Sequence, residues 1–408
     1  MTTTPSRRTT LIASLALTGL TGLSLPSTAS AAAADPWVRA WGTNNVGQIG
    51  NATTTDQPTP GDVTGLARSD VRLLSGGGGN PADTEFAVAL LNDGTVKSWG
   101  ANASGQLGNG TLTQQHVPTT VAGLSGVSVV DAGQNHALAV RKGRVYAWGS
   151  NSKGQLGNGV TDTDDKNPSK TPALVQALDE VKDVEAGCYF SVALRQDGTV
   201  WTWGSGSYGR LGTGPSPEDP IHNTSRDTPQ QVEGLTDIVD ISAGCTHALA
   251  LTADGRVKSW GGGGSGQLGN DTKTQATSPV DVKLLSGVTT ISAGPFHDFA
   301  ILQDGTIKGW GYNKFGQLGD GTTTDRTTPV PIDALKGTKS IVGGEDYTIA
   351  AQPDGSVLAL GNNDRFQLGD GTTTPTPDRG HKPVTVLPPG SDITRVATLA
   401  NGKTAYAY

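Results

Sequence analysis

Three histidines recur at one place in a repeated pattern, A-G-x-x-H: His136, His247 and His297. Imidazole suits acid–base work near neutral pH, but Phe86, Phe190 and Tyr347 hold the same place in sister copies. A position shared by imidazoles and aromatic rings reads as packing or a local hydrogen bond, not as a catalytic base. His116, His222 and His381 stand in loops beside no recurring acid or nucleophile, and no pair of carboxylates recurs as glycoside hydrolysis would need. Gly204-Ser-Gly206-Ser-Tyr-Gly209 spells G-x-G-x-x-G, yet the following RLGTGPSPED cannot open the helix that would hold a pyrophosphate. Asp162, Asp164 and Asp165 crowd the insertion TDTDDKN and could offer oxygens to calcium, but the glycine and distal glutamate of an EF-hand loop are missing, so a solvated acidic loop is the plainer reading. The expectation is a chain with no catalytic residues, no cofactor and no metal.

The elements that carry these residues form a repeat. Trp-Gly ends a segment at Trp41, Trp99, Trp148, Trp203, Trp260 and Trp310, and Leu360-Gly361 takes a seventh equivalent place, with spacings of 58, 49, 55, 57, 50 and 50. A period near fifty marks a repeat architecture. One period, Pro279 to Gly311, reads as four short strands: SPVDV, GVTTISAG, HDFAI and TIKGWG. The third segment recurs as FAVAL, HALAV, FSVAL and HALAL, where large and small apolar residues alternate, as a strand packed on both faces requires. Asp-Gly at 93, 197, 254, 304 and 354 supplies the tight hairpin that follows. GQLG at 105, 154, 266 and 316 reads as scaffold, its leucine plugging between sheets.

Repeated four-stranded antiparallel units of this size close radially, so the fold expected is all-β: a seven-bladed β-propeller. The blades are placed at about 57–100, 115–149, 170–204, 228–261, 278–311, 328–361 and 382–408, the last completed by residues 36–42. In this reading the C-terminal PVTVL, ITRVATLA and TAYAY supply three strands and the N-terminal WVRAWG the fourth. Cys188 and Cys245 each follow Ala-Gly in adjacent blades. Equivalent points on a sevenfold ring come within a disulfide's Cα separation of ~5.5 Å at a radius of roughly 6 Å, near the channel wall. The pair is therefore either a disulfide or two free thiols.

Residues 1–31 differ from the rest. Arg7 and Arg8 precede an apolar run from Leu11 to Leu25 and small residues at Ala29 and Ala31, the pattern of an export signal by the general or twin-arginine route. The run is shorter than the ~18 apolar residues of a membrane span, so a secreted protein with no membrane insertion is expected. Without that segment 28 basic residues face 37 acidic ones, a formal charge of −9, and nucleic acid is not an expected partner.

The combination of V-x-x-W-G, N-x-x-G-Q-L-G-x-G-T, a proline-led strand, A-G-x-x-H-x-L-A-L and D-G resembles the repeat of the regulator of chromosome condensation family, over residues 36–408. That resemblance implies a seven-bladed propeller and, through its namesake, guanine-nucleotide exchange on a small GTPase. The chain departs from the namesake in its export signal, its acidity and its lack of a basic tail. It is also similar to the secreted seven-bladed inhibitors of β-lactamases, whose variable turn residues meet the enzyme. The matching turns here read QN, CY, CT, PF and ED, of which Tyr189 and Phe296 are aromatic. The expected function is therefore non-catalytic binding of another protein by a monomer, with Tyr189, Phe190, Phe296, Glu345 and Asp346 as partner-binding residues. The alternative is a carbohydrate- or cell-wall-binding module using Tyr208, Tyr312, Phe315 and Phe366 on loops of the opposite face.

Overall fold

The computed structural model describes residues 36–79, 82–164, 166–214, 224–379 and 381–408. Residues 1–31, expected to be an export signal, and Asp165 and His222 lie outside the described residues. Seven four-stranded antiparallel sheets are arranged as blades of a propeller, and none of the described residues forms a helix long and apolar enough to cross a membrane.

Blade 3 shows the unit. Val181–Ala186 lines the centre, Phe190–Arg195 and Val200–Gly204 follow outward, and Arg226–Gln231 forms the rim. The proline-led segments are thus outermost strands of the preceding blade, not first strands of the next: Ala276–Asp281 pairs with Val257–Gly261. The blades accordingly run 71–120, 129–174, 181–231, 238–281, 288–331 and 340–387, with 396–407 joining 37–67. Chemistry favours this grouping, because a proline that cannot donate to a ladder is tolerated on an edge strand, as at Pro118, Pro172, Pro229, Pro279 and Pro329.

Closure differs in the same sense. Each end of the chain gives two strands to blade 7: Val396–Thr398 and Thr404–Ala407 inside, Trp37–Gly42 and Gln57–Ala67 outside. The seam between the ends pairs Arg39 with Ala407, Ala40 with Tyr406, Trp41 with Ala405 and Gly42 with Thr404.

The core lies between blades. The six Trp-Gly indoles are fully buried, and each donates to a backbone carbonyl in the preceding blade's loop: Trp148 Nε1 to Gln106 O at 2.8 Å, Trp203 to Gln155 O at 2.8 Å, Trp310 to Gln267 O at 2.9 Å. That contact explains why Trp-Gly and G-Q-L-G recur together. The glycine after the indole, Gly204 for example, has φ +101, and a Cβ there would sit 2.6 Å from Tyr189 O, so no side chain fits. Loops are tied internally by an asparagine: Asn102 Oδ1 accepts from Leu107 N at 3.0 Å while its Nδ2 donates to Thr111 O and Thr113 O, both at 3.0 Å.

Candidate functional site

Two hairpins in succession bring the turn between first and second strands and the loop between third and fourth strands to one end of every blade. The hydrogen bonds record it. The residue just before each second strand offers its carbonyl to the N–H at the start of that blade's loop: Glu85 to Ala101 at 2.9 Å, Asn135 to Ser150 at 2.8 Å, Tyr189 to Ser205 at 2.8 Å, Thr246 to Gly262 at 2.8 Å, Phe296 to Tyr312 at 2.9 Å, Asp346 to Asn362 at 2.9 Å and Lys403 to Thr43 at 3.3 Å. Tyr208, Tyr312, Phe315 and Phe366 therefore share the face of the A-G-x-x turns, contrary to the expectation of an opposite face. The Asp-Gly hairpins occupy the other end.

Of the expected binding residues, Tyr189, Phe296, Glu345 and Asp346 are half-buried on this face. Phe190 is not available: it is 0% exposed and packs with Val192, Ile241 and Trp260 between blades 3 and 4, as its place in the period-two pattern of the second strand dictates. Cys188 and Cys245 form a disulfide with Cα atoms 4.5 Å apart, bridging the turns of adjacent blades near the channel. At the insertion of blade 2, Asp162 accepts from Asn167 N at 2.6 Å and Asp164 pairs with Lys166 at 2.6 Å. Among the described residues no three metal-ligating side chains gather.

The recurring histidines are internal clamps. His136 Nε2 lies 3.0 Å from Ser191 Oγ and His297 Nε2 lies 2.9 Å from Thr348 Oγ1. Those hydroxyls themselves donate to Gln155 O and Gln317 O, each at 2.8 Å, so the imidazoles donate to them. Burial drives His136 and His297 down to about 3, keeping both neutral. In blade 5 the acceptor is a carboxylate: His247 Nε2 lies 2.8 Å from Asp298 Oδ1, both side chains wholly buried. Burial raises Asp298 to about 6 against the opposing pull of His247.

The face is electrically two-sided. Over blades 6, 7 and 1 stands an acidic group. Glu345 is pushed up to about 7 by burial and by Asp346, and Asp346 is raised by burial, while Asp364 pairs with Lys403 at 3.0 Å. Glu85, buried and raised, accepts from Thr43 Oγ1 at 2.8 Å, Gln48 Nε2 at 2.5 Å and Lys403 N at 3.2 Å. Over blade 3 stands Arg210, 4% exposed, its guanidinium 5.8 Å from the Phe190 ring centroid and 5.5 Å from that of Tyr208. Both residues escape sequence reasoning. Glu85 hides behind the insertion GGNPADT, and Arg210 is signalled only by GRLG where the other copies carry glutamine.

The region matching the RCC1-like domain is residues 161–407, and regulator of chromosome condensation (RCC1) repeats match at 93–140 and 127–155. The chain belongs to the RCC1-like family. Within that family it is 33% identical over 245 residues to the human E3 ubiquitin-protein ligase HERC2, covering 57% of this chain and 5% of the ligase. It is 30% identical over 236 residues to the ultraviolet-B receptor UVR8 of Arabidopsis thaliana, covering 57% of this chain and 50% of the receptor. The match thus spans half or less of these relatives. As a fold, the RCC1-like propeller superposes on Prp20p from Saccharomyces cerevisiae with a TM-score of 0.76 at 22% identity over 92% of each chain; that structure is described together with binding to Gsp1p and histones.

Proposed function

We propose that this RCC1-like propeller is exported and non-catalytic, and that it binds another protein through the face of turns and loops. One observation carries the reading: seven equivalent carbonyls make the same loop contact, while the side chains beside them are Glu85, Asn135, Tyr189, Thr246, Phe296, Asp346 and Lys403. A fixed backbone that presents a different residue from each blade is how a rigid scaffold carries recognition. Half-buried aromatics at Tyr189 and Phe296 supply anchors and the acids supply a polar rim. Export is supported by the basic and apolar pattern before residue 32 and by the Cys188–Cys245 bridge, which persists in oxidising compartments.

The test is capture of partners from culture supernatant and cell envelope with the mature protein, beside the triple variant Tyr189→Ala, Phe296→Ala, Asp346→Ala and a control altered at the Asp-Gly end. A partner held by the wild type and the control, and released by the triple variant, is the expected result. Equal capture by all three overturns the reading. A nucleotide-release assay on small GTPases supplies the arm for exchange.

A second reading, glycan binding, draws on the edge-to-face rings of Tyr312 and Phe315, 6.5 Å apart on the same face. Glycan-array binding lost on their alanine substitution would favour it over a protein partner.

A further inference from the structure

In the other six blades the residue at the Arg210 place is a glutamine, and its carboxamide oxygen accepts an N–H from two residues earlier. Gln48 takes Val46 N at 3.0 Å, Gln106 takes Ser104 N at 2.9 Å, Gln155 takes Lys153 N at 2.8 Å and Gln317 takes Phe315 N at 3.0 Å. Arginine has no acceptor. Blade 3 also has Gly206 where the loop asparagine stands in blade 2 at Asn151. The loop keeps the backbone bonds of its sisters, Gly209 N to Gly206 O at 3.1 Å and Gly212 N to Gly209 O at 2.9 Å, but tightens into a short 3₁₀ turn over Ser207–Gly209, with Tyr208 at φ 63. Arg210 Nε donates to Ser207 O at 2.8 Å and Nη1 to Cys245 O at 3.4 Å.

A charge has therefore replaced a loop-closing acceptor. Among the described residues no carboxylate pairs with Arg210, and the charged or polar groups that influence it are only Tyr208 and Tyr189. Burial holds it down to about 10. Taking a guanidinium out of water without an anion is costly, and an anion brought to Arg210 would relieve that cost. Two of its five N–H groups are used, which leaves enough for a two-oxygen acid. Arg210 itself is 4% exposed, and the ring over its guanidinium, Tyr208, is 54% exposed, so a visitor reaches the site by displacing that surface ring.

We propose that Arg210, flanked by Tyr189 and Tyr208, is a subsite for a carboxylate side chain of the protein partner. The inference deepens the protein-binding reading above and rests on it. A lone guanidinium matches a single negative charge. A phosphate would ask for a second cation, and none stands beside Arg210 among the described residues. The acids over blades 6, 7 and 1 would repel the same ligand, so the acidic residue of a partner is steered to blade 3 and its orientation on the ring is set.

The experiment uses the mature protein and three probes: a terminally blocked Gly-Glu-Phe-Glu-Gly peptide, its glutamine counterpart and inorganic phosphate. Binding is followed by titration calorimetry and by the side-chain Nε resonance of Arg210. Arg210→Gln restores the residue of the other six blades and is the folded control, and Arg210→Lys keeps the charge while losing the fork. The acidic peptide is expected to bind the wild type at least about tenfold tighter than it binds Arg210→Gln, and tighter than the glutamine peptide binds the wild type, with phosphate giving no shift. Equal binding by wild type and Arg210→Gln, or displacement of the peptide by phosphate, overturns the subsite. Partner capture separates the two readings: loss with the triple face variant but not with Arg210→Gln sinks the carboxylate subsite alone, whereas no loss with either sinks the face.

Discussion

Trp99 of blade 1 and Tyr406 of the last strand meet edge to face, centroids 6.1 Å apart, and both donate to the carbonyl of Gln48. One backbone oxygen thus gathers the N-terminal loop, the first complete blade and the C-terminus. Tyr406→Phe leaves the Trp99 bond in place and removes the other, so a loss of about 1 kcal/mol is expected. Deleting residues 404–408 removes the whole seam strand and should abolish cooperative unfolding. Urea denaturation followed by tryptophan fluorescence reads both, and an unaltered midpoint in the deletion would contradict the closure described here.

The sulfur bridge links positions 57 residues apart, and closing a loop of that length stabilises by about 4 kcal/mol in the chain-entropy account. Titration of the denatured, unreduced protein should find no reactive thiol. The double variant Cys188→Ala, Cys245→Ala should melt several degrees lower, in a scan run without reductant. Two titratable thiols would be the contrary result.

Glu345 makes stability fall with pH. Its folded value of about 7 stands above the ordinary 4.5, so the folded chain holds the proton more firmly than the unfolded one. The stabilisation is complete below pH 4.5, is lost as pH rises through the window to about 7, and changes no further above it. Because the side chain is only half-buried, the slope is shallow. Glu345→Gln should flatten the melting temperature across that window and raise it at pH 8; parallel curves for the two proteins would refute the assignment.

Asp298 does for His247 what Ser191 does for His136 and Thr348 does for His297. Asp298→Ala strands a buried imidazole N–H and should cost about 1–3 kcal/mol. Asp298→Ser or Asp298→Thr, borrowing the residue of a sister blade, should recover most of it. Differential scanning calorimetry of the series distinguishes this clamp from a site-specific charge pair, for which the hydroxyl variants would stay as unstable as alanine.

The wheel itself was legible because its cause is local. Alternating apolar residues, Asp-Gly turns and an indole every fifty residues each state a requirement of one strand, and the strands formed where expected. Where each blade begins was not legible, since a period has no origin: nothing in SPVDV alone says whether it pairs backward with Val257–Gly261 or forward. The shared face followed from strand direction, which spacing leaves out, so Tyr312 and Phe315 were assigned to the wrong end. Phe190 shows the limit of composition, because a ring beside a variable turn can point inward. Arg210 was written in one letter of GRLG, and its meaning depends on knowing what glutamine does in the other loops.

The antiparallel pairing of Arg39 with Ala407 has a consequence for display. Trp37 and Tyr408 both emerge at the Asp-Gly end, side by side. Anything joined after Tyr408, be it a tether, a purification handle or a neighbouring module, would leave from that end, opposite the face that carries Tyr189 and Phe296.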